Sequence, residues 1–169
     1  MALSAGATGV ASNPNYIKAL LKTEAEFVDA TVRDVVAQGD SGDSGNNSDG
    51  RDERLAMQVI QKAVSRPLGI FHARYEETAA RYGHVAIQGN PRRNDDPDAM
   101  LAEAERFHDL GENVILKQPA TVAGIQVLEE LTARGWPTIG TMSFSVAQYS
   151  PSRKPTAAAY NGPVSDPDA

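Results

Sequence analysis

The stretch that most constrains this chain is residues 113–117 (NVILK), an apolar run that ends in lysine. A strand with one wet face alternates apolar and polar side chains. A strand without alternation is covered on both faces, as in parallel sheets. The neighbours of this run are helices. Upstream, Asp96-Pro97 reads as a helix start, with Asp as cap and Pro in the first helical position. Met100, Ala104 and Phe107 then fall on one face, and Gly111 closes the helix. Downstream, Thr121 caps a second helix that points Ile125, Leu128 and Leu131 inward and ends at Gly135. Residues 84–90 (HVAIQGN) and 137–144 (PTIGTMSF) read as flanking strands. Strand–helix–strand–helix–strand with short connections predicts a parallel α/β fold. The pattern fits a barrel or an open doubly wound sheet. No Gly-x-Gly-x-x-Gly follows a strand, so the dinucleotide-binding version has no support.

The N-terminal half reads as helical. Residues 14–37 are expected to form one helix, with Pro14 in the first turn and Thr23 and Glu26 as a capping box. Residues 39–50 (GDSGDSGNNSDG) have the composition of a flexible surface loop. A second helix is expected over 52–65, with Leu55, Ala56, Val59, Ile60, Ala63 and Val64 forming its apolar stripe. Arg66-Pro67 is expected to break it, and a further helix to run over 67–82. Residues 1–149 then form one domain, and residues 150–169, rich in Pro, Ala and Ser, a disordered tail.

Several function classes lose support. The net charge of −6 offers no basic face for nucleic acid. The chain has no cysteine, which removes thiolate catalysis, zinc–thiolate sites and disulfides, and fits the cytoplasm. No apolar run approaches the roughly 18 residues that span a bilayer, and the N-terminus lacks a signal-peptide pattern. His72, His84 and His108 have no ligand-like spacing, and His108 is expected to face solvent. The aspartates at 40, 43, 49 and 52 fail the calcium-loop pattern.

Four sets of residues remain as candidates for chemistry. Lys117 ends the apolar strand, and the carboxyl end of a parallel strand is where active sites are built. Partial desolvation there favours the neutral amine that attacks carbonyls. On position alone, a lysine reaching solvent is the better-supported reading, because lysines are mostly exposed. Gln88 and Asn90 are expected on one strand face with Ala86, where two amides need either a hydroxylated ligand or an internal network. Thr141 and Ser143 share a face of the last strand with Ile139 and offer hydroxyls to a ligand or water. Asn13 lies in a polar turn, Ser12-Asn13-Pro14, which by itself marks a helix start.

Taken together in order and spacing, these segments resemble the transaldolase family. Residues 10–14 (VASNP) resemble its strand ending in Thr/Ser-Asn-Pro. Residues 84–92, with Asn94-Asp95-Asp96, resemble the next strand and its Asn-Pro-Arg loop. Residues 114–121 (VILKQPAT) are similar to the lysine strand, usually Ile-Lys-Ile-Pro-Ala-Thr. Residues 135–149 (GWPTIGTMSFSVAQY) resemble the strand that ends in Phe-Ser-x-x-Gln. The resemblance covers about residues 9–149. It implies a (β/α)₈ barrel, here partial, with about four recognisable strands. It also implies transfer of a dihydroxyacetone unit between sugar phosphates in the pentose phosphate pathway, with no metal or organic cofactor. Lys117 would form the Schiff base, Asn13 would bind substrate hydroxyls, and Thr141 would help hold the catalytic water. Gln88, Asn90 and Ser143 join the expected substrate contacts.

The departures are specific. The family's first strand ends in an aspartate, and residues 1–9 hold no Asp or Glu. Gln88 stands where transaldolases carry glutamate, and an amide is no general base. The related fructose-6-phosphate aldolases also carry glutamine there and rely on a later tyrosine; the matching position here is Phe144. The later phosphate-binding strands have no visible counterpart. Weak or absent activity is therefore expected. The competing reading is a non-catalytic, truncated paralogue or interaction module that keeps the half-barrel. Four strands leave two open sheet edges, a liability to aggregation or to homo-oligomerisation through those edges.

Overall fold

In the computed structural model, residues 3–38 and 48–145 are described. Four strands, β1 (Gly9–Ala11), β2 (His84–Gln88), β3 (Val114–Pro119) and β4 (Thr138–Thr141), form one parallel sheet in sequence order. Among the described residues five α-helices accompany them: α1 (Tyr16–Thr23), α2 (Ala25–Gln38), α3 (Ser48–Glu77), α4 (Pro97–His108) and α5 (Val122–Ala133). This is the α/β architecture expected, and consecutive parallel strands without a reversal of order fit a partial (β/α)₈ barrel.

The core lies on one side of the sheet. Val85, Ile87, Val114 and Leu116 are buried against Val64, Leu68 and Phe71 of α3, Met100, Ala104 and Phe107 of α4, and Ala123, Val127 and Leu131 of α5. A second cluster, Leu20, Val28 and Ala63, seats α1 and α2 on α3. Ala86, Ile115 and Ile139, which face the other way, belong to neither cluster. That face is the inward face of a barrel.

Both predicted caps are present. Asp96 accepts from the Ala99 amide at 3.0 Å, with Pro97 opening α4, and Thr121 accepts from the Gly124 amide at 3.0 Å. Gly135, at φ +77°, follows α5 as expected of a left-handed stop. Of the inward residues of α5, Leu128 and Leu131 are buried, whereas Ile125 is only half-buried.

The N-terminal half departs from the expectations. Residues 14–37 form two helices, because the chain breaks at Glu24 (φ −142°). Thr23 does not cap; its hydroxyl donates back to the Ala19 carbonyl at 3.4 Å. Glu24 pairs with Arg66 of α3, whose guanidinium sits 5.2 Å from the Phe27 ring. Pro67 does not break the helix. α3 runs through it, although the ring removes the donor that the Ala63 carbonyl would use. Burial of Ala63, Val64, Leu68 and Phe71 on both sides of Pro67 outweighs that loss. α3 also begins earlier than expected, so 48–50 are helical, while 39–47 and the tail 146–169 lie outside the described residues. His108 is partly exposed, as expected, and also stacks on Trp136 with centroids 3.9 Å apart.

α3 ends in a turn in which Ala79 (φ +50°) and Ala80 (φ +65°) are both left-handed. An alanine in that region costs about 1–2 kcal/mol, more than glycine's extra unfolded-state entropy of about 0.5–1 kcal/mol. The Ala80→Gly variant is expected to be as stable as the parent or up to about 1 kcal/mol more stable. A urea melt measures this, and a drop in the midpoint would show that the turn carries no strain.

Candidate functional site

The register of the sheet decides which side chains meet. Gln88 is opposite Lys117, and Lys117 is opposite Ile139. Partners across a parallel ladder project to the same side, so Ala86, Gln88, Ile115, Lys117, Ile139 and Thr141 share the inward face. Burying Val114 and Leu116 against the helices is what sends Ile115 and Lys117 inward.

Lys117 is half-buried, and its Nζ donates to the Ser12 carbonyl at 3.4 Å, reaching past β2 to the end of β1. Ser12 is itself fixed. It is buried, and both its amide (2.8 Å) and its hydroxyl (2.9 Å) donate to the Ala86 carbonyl. Gln88 is the immediate neighbour of Lys117, and Thr141 lies one inward position further along β4. The Thr141 carbonyl accepts from Ala120 at 2.7 Å, and the strand register puts its side chain on the inward face. The arrangement offers an amine flanked by an amide and a hydroxyl, all near the carboxyl ends of β2 to β4.

Three other expected residues sit differently. Asn13 is exposed, and its Oδ1 accepts from the Asn15 amide at 2.9 Å, an Asx turn ahead of α1. Asn90 does not continue the face of Gln88, because β2 stops at Gln88. Its Oδ1 accepts from the Arg92 amide at 3.0 Å, and its Nδ2 donates to Glu53 of α3, on the helix side. Ser143 lies past the end of β4, beyond Met142 at φ +61°, so strand alternation no longer places it beside Thr141.

The loop after β2 is held by charged groups that sequence patterning did not single out. Glu103 of α4 is only 7% exposed, and its Oε2 accepts from the Asn90 amide at 2.7 Å. A Cβ on Gly89 would stand 1.9 Å from that oxygen, so the carboxylate fits only because residue 89 is glycine. Burial pushes the Glu103 carboxyl above its ordinary range, and the Asn90 amide partly opposes this. Arg93 bonds Glu53 (Nη2–Oε2 3.0 Å) and holds that carboxyl below its ordinary value, with Asn90 adding to the effect. The available signal was the position of Glu103 between Met100, Ala104 and Phe107, on the apolar stripe of the helix.

A cleft of about 530 Å³ opens between the loops after β2 and β3, lined by Arg92, Asn94, Asp95, Thr121 and Gln126; Lys117 is not among its walls. Among the described residues, no His, Asp and Glu group is arranged to hold a metal ion. No helix among them is long and apolar enough to cross a membrane.

With Lys117, Gln88 and Thr141 set side by side on one parallel sheet, the likeness to known proteins can be weighed. Residues 2–159 match the model of the transaldolase/fructose-6-phosphate aldolase family. The chain belongs to this family. It is 29% identical over 148 residues to a transaldolase of Campylobacter jejuni subsp. jejuni serotype O:23/36, covering 86% of this chain and 41% of that protein. It is 30% identical over 145 residues to a transaldolase of Thiobacillus denitrificans, covering 85% and 37%. Transaldolase 1 of Streptomyces avermitilis is 29% identical over 147 residues, covering 83% and 35%. The chain thus spans about two fifths of the length of the curated relatives it matches.

The Glu103 carboxyl yields a pH prediction. Its folded-state pKa is raised, so its contribution to stability is complete below the unfolded value and fades as pH rises through the folded one. Glu103→Gln, which keeps an acceptor for the Asn90 amide, is expected to lose that dependence. Urea midpoints across pH 4 to 8 check it. Parallel curves for the two proteins would mean that Glu103 is ionised without penalty.

Proposed function

We propose that this family member carries out transaldolase-like chemistry through Lys117, moving a dihydroxyacetone unit between sugar phosphates. The observation that carries the proposal is the placement of Lys117. It is inward, half-buried, near the carboxyl end of β3, and beside Gln88 in register. In the proposed reaction the neutral amine adds to the ketose carbonyl, and loss of water gives an iminium. The iminium takes up the electron pair released when the adjacent carbon–carbon bond breaks and the aldehyde departs. The resulting enamine then adds to a second aldehyde, and hydrolysis returns the amine. In this reading Thr141 holds the water, while Asn13, Gln88, Asn90 and Ser143 contact substrate, Asn13 and Asn90 after local rearrangement of their present bonds. The proposal places the chain in the cytoplasm, in the pentose phosphate pathway, with no metal or organic cofactor, and self-associating through its sheet edges.

A second reading rests on a specific observation. The inward positions of the four strands hold no Asp or Glu. Proton transfer to and from substrate then lacks an obvious base, because Gln88 cannot ionise. This favours weak turnover, or a non-catalytic paralogue that keeps the lysine and works as an interaction module.

Borohydride reduction in the presence of fructose 6-phosphate, followed by peptide mass spectrometry, separates the readings. A reduced adduct on Lys117, absent in Lys117→Ala, is expected. Folded protein that gives no adduct on this lysine would sink the Schiff-base proposal. Turnover above background that disappears in Lys117→Ala would remove the non-catalytic reading.

A further inference from the structure

We infer that two copies of this chain close head-on into one eight-stranded parallel barrel, with β4 of each copy pairing in register with β1 of the other. The inference rests on the geometry of the sheet and not on chemistry at Lys117, so the outcome of borohydride trapping does not bear on it.

Both edges of the sheet present backbone groups of the right phase. On β4, Pro137 and Thr141 give their carbonyls to β3, at 2.9 Å from Leu116 and 2.7 Å from Ala120. Alternate residues of a parallel strand bond to opposite neighbours, so Thr138 and Gly140 turn their N–H and C=O groups to the open edge. On β1, Thr8 accepts from Gly83 at 2.7 Å and Ser12 donates to Ala86 at 2.8 Å, both toward β2. Gly9 and Ala11 therefore face the other open edge. With Gly140 opposite the partner's Val10, the Gly140 amide meets the carbonyl of the partner's Gly9. The amide of the partner's Ala11 then meets the Gly140 carbonyl. These are the groups that the sheet leaves outward among the described residues.

The stagger of the strands selects the same register. A line across the strands from Ala11 passes Ala86 and Ile115, and the β3–β4 offset carries it to Pro137, one residue short of β4. The lag is zero from β1 to β2, one residue from β2 to β3 and two from β3 to β4, three in all, so one more at the junction gives four per copy and the shear of eight of an eight-stranded barrel. Setting Ile139, Gly140 and Thr141 beside the partner's Gly9, Val10 and Ala11 puts Pro137 opposite the partner's Ala7. The line that left Ala11 returns at Ala7, a slip of four residues per copy and eight around the closed barrel. The slip is even, so inward side chains stay inward. A two-fold axis along the barrel makes both junctions identical and closes the assembly.

Three exposed apolar side chains lie on β4 or just after it, where this junction would form, while others, Leu21, Val32, Val36, Ile70 and Val122, lie on the helices. Ile139 on β4 is 38% exposed, Met142 just after it 56%, and Phe144 84%. On the inward face Ala86 is buried, Ile115 half-buried and Ile139 exposed, all outside the two core clusters, and the partner's inward face would cover what is left open. A barrel of eight strands is the size at which inward side chains fill the interior.

Light scattering on the purified 169-residue chain is expected to give a discrete species of two 18.0 kDa chains. Gly140→Pro, which removes an outward donor and spares the bonds to β3, is expected to shift it to folded monomer. Because that variant can unfold for its own reasons, register is tested separately in the cysteine-free background. Ala11→Cys combined with Thr141→Cys places sulfurs on directly opposed residues about 4.8 Å apart at Cα. That is within disulfide range, and mild oxidation is expected to give a covalent dimer. Ala11→Cys with Ile139→Cys, two residues out of register, lies at roughly 7–8 Å and is expected to cross-link far more slowly. A folded monomer at all concentrations, open-ended polymers, or equal cross-linking of both pairs would overturn the two-copy barrel.

Discussion

The β2–β3 ladder is the constraint on which the rest depends. Val85 is set opposite Val114 and Ile87 opposite Leu116, and all four are buried against α3, α4 and α5. Side chains on a strand alternate with a period of two, so this burial leaves Gln88 and Lys117 no choice of side. A slip of one residue would drive the lysine into the helix layer and expose Leu116. The position of the candidate nucleophile is therefore a by-product of packing hydrocarbon, and it is as secure as the core itself.

Polar anchors finish what the ladder begins. At the amino end, the buried Asn113 amide donates to the Leu68 carbonyl (3.1 Å) and the Gly83 carbonyl (2.9 Å), tying β3 to α3 and to the start of β2. At the carboxyl end, Ser12 ties β1 to Ala86, and Glu103 ties the loop after β2 to α4. The Asn113 and Glu103 anchors pair backbone groups near the strand ends, and the Ser12 hydroxyl adds a second bond to a carbonyl that its own amide already reaches. Together they fix the rim from which Lys117 reaches Ser12. Glu103 is the costly member, because burial disfavours its charged form more than the Asn90 amide and the charges of Arg106 and Arg93 favour it. Its reward is a defined path for Gly89 and Asn90.

What was legible in the sequence was local. β3, α4 and α5 could be read because Asp96-Pro97, Thr121 and Gly135 act within a turn of themselves, and because the apolar pattern has no competitor there. Pro67 misled because a proline's local penalty was set against a tertiary gain that no single window shows. Thr23 misled for the opposite reason. A capping-box string is present, but Glu24 is drawn to Arg66, and the break falls one residue later. Asn90 and Ser143 were placed by extending alternation past the last residue of a strand. A strand ends where its ladder hydrogen bonds end, and that is decided by the neighbouring strand. The role given to Lys117 drew on family resemblance; the residue's own surroundings account for its orientation.

Enclosure and proton transfer separate in this chain. The four strands set an amine, an amide and a hydroxyl on one face and no carboxylate among them. A second copy would cover that face and exclude water, which strengthens any electrostatic effect inside. It would bring the same inward residues, however, so the closed barrel would hold two lysines, two Gln88 side chains and still no acid from the strands. Closing the barrel can restore its architecture without restoring a general base. In the proposed reaction the amine would form an iminium, and the later proton movements would fall to water or to hydroxyls such as that of Thr141, groups poorly matched to the task near neutral pH. Architecture and turnover rest on different residues, so one can persist in the chain while the other fades.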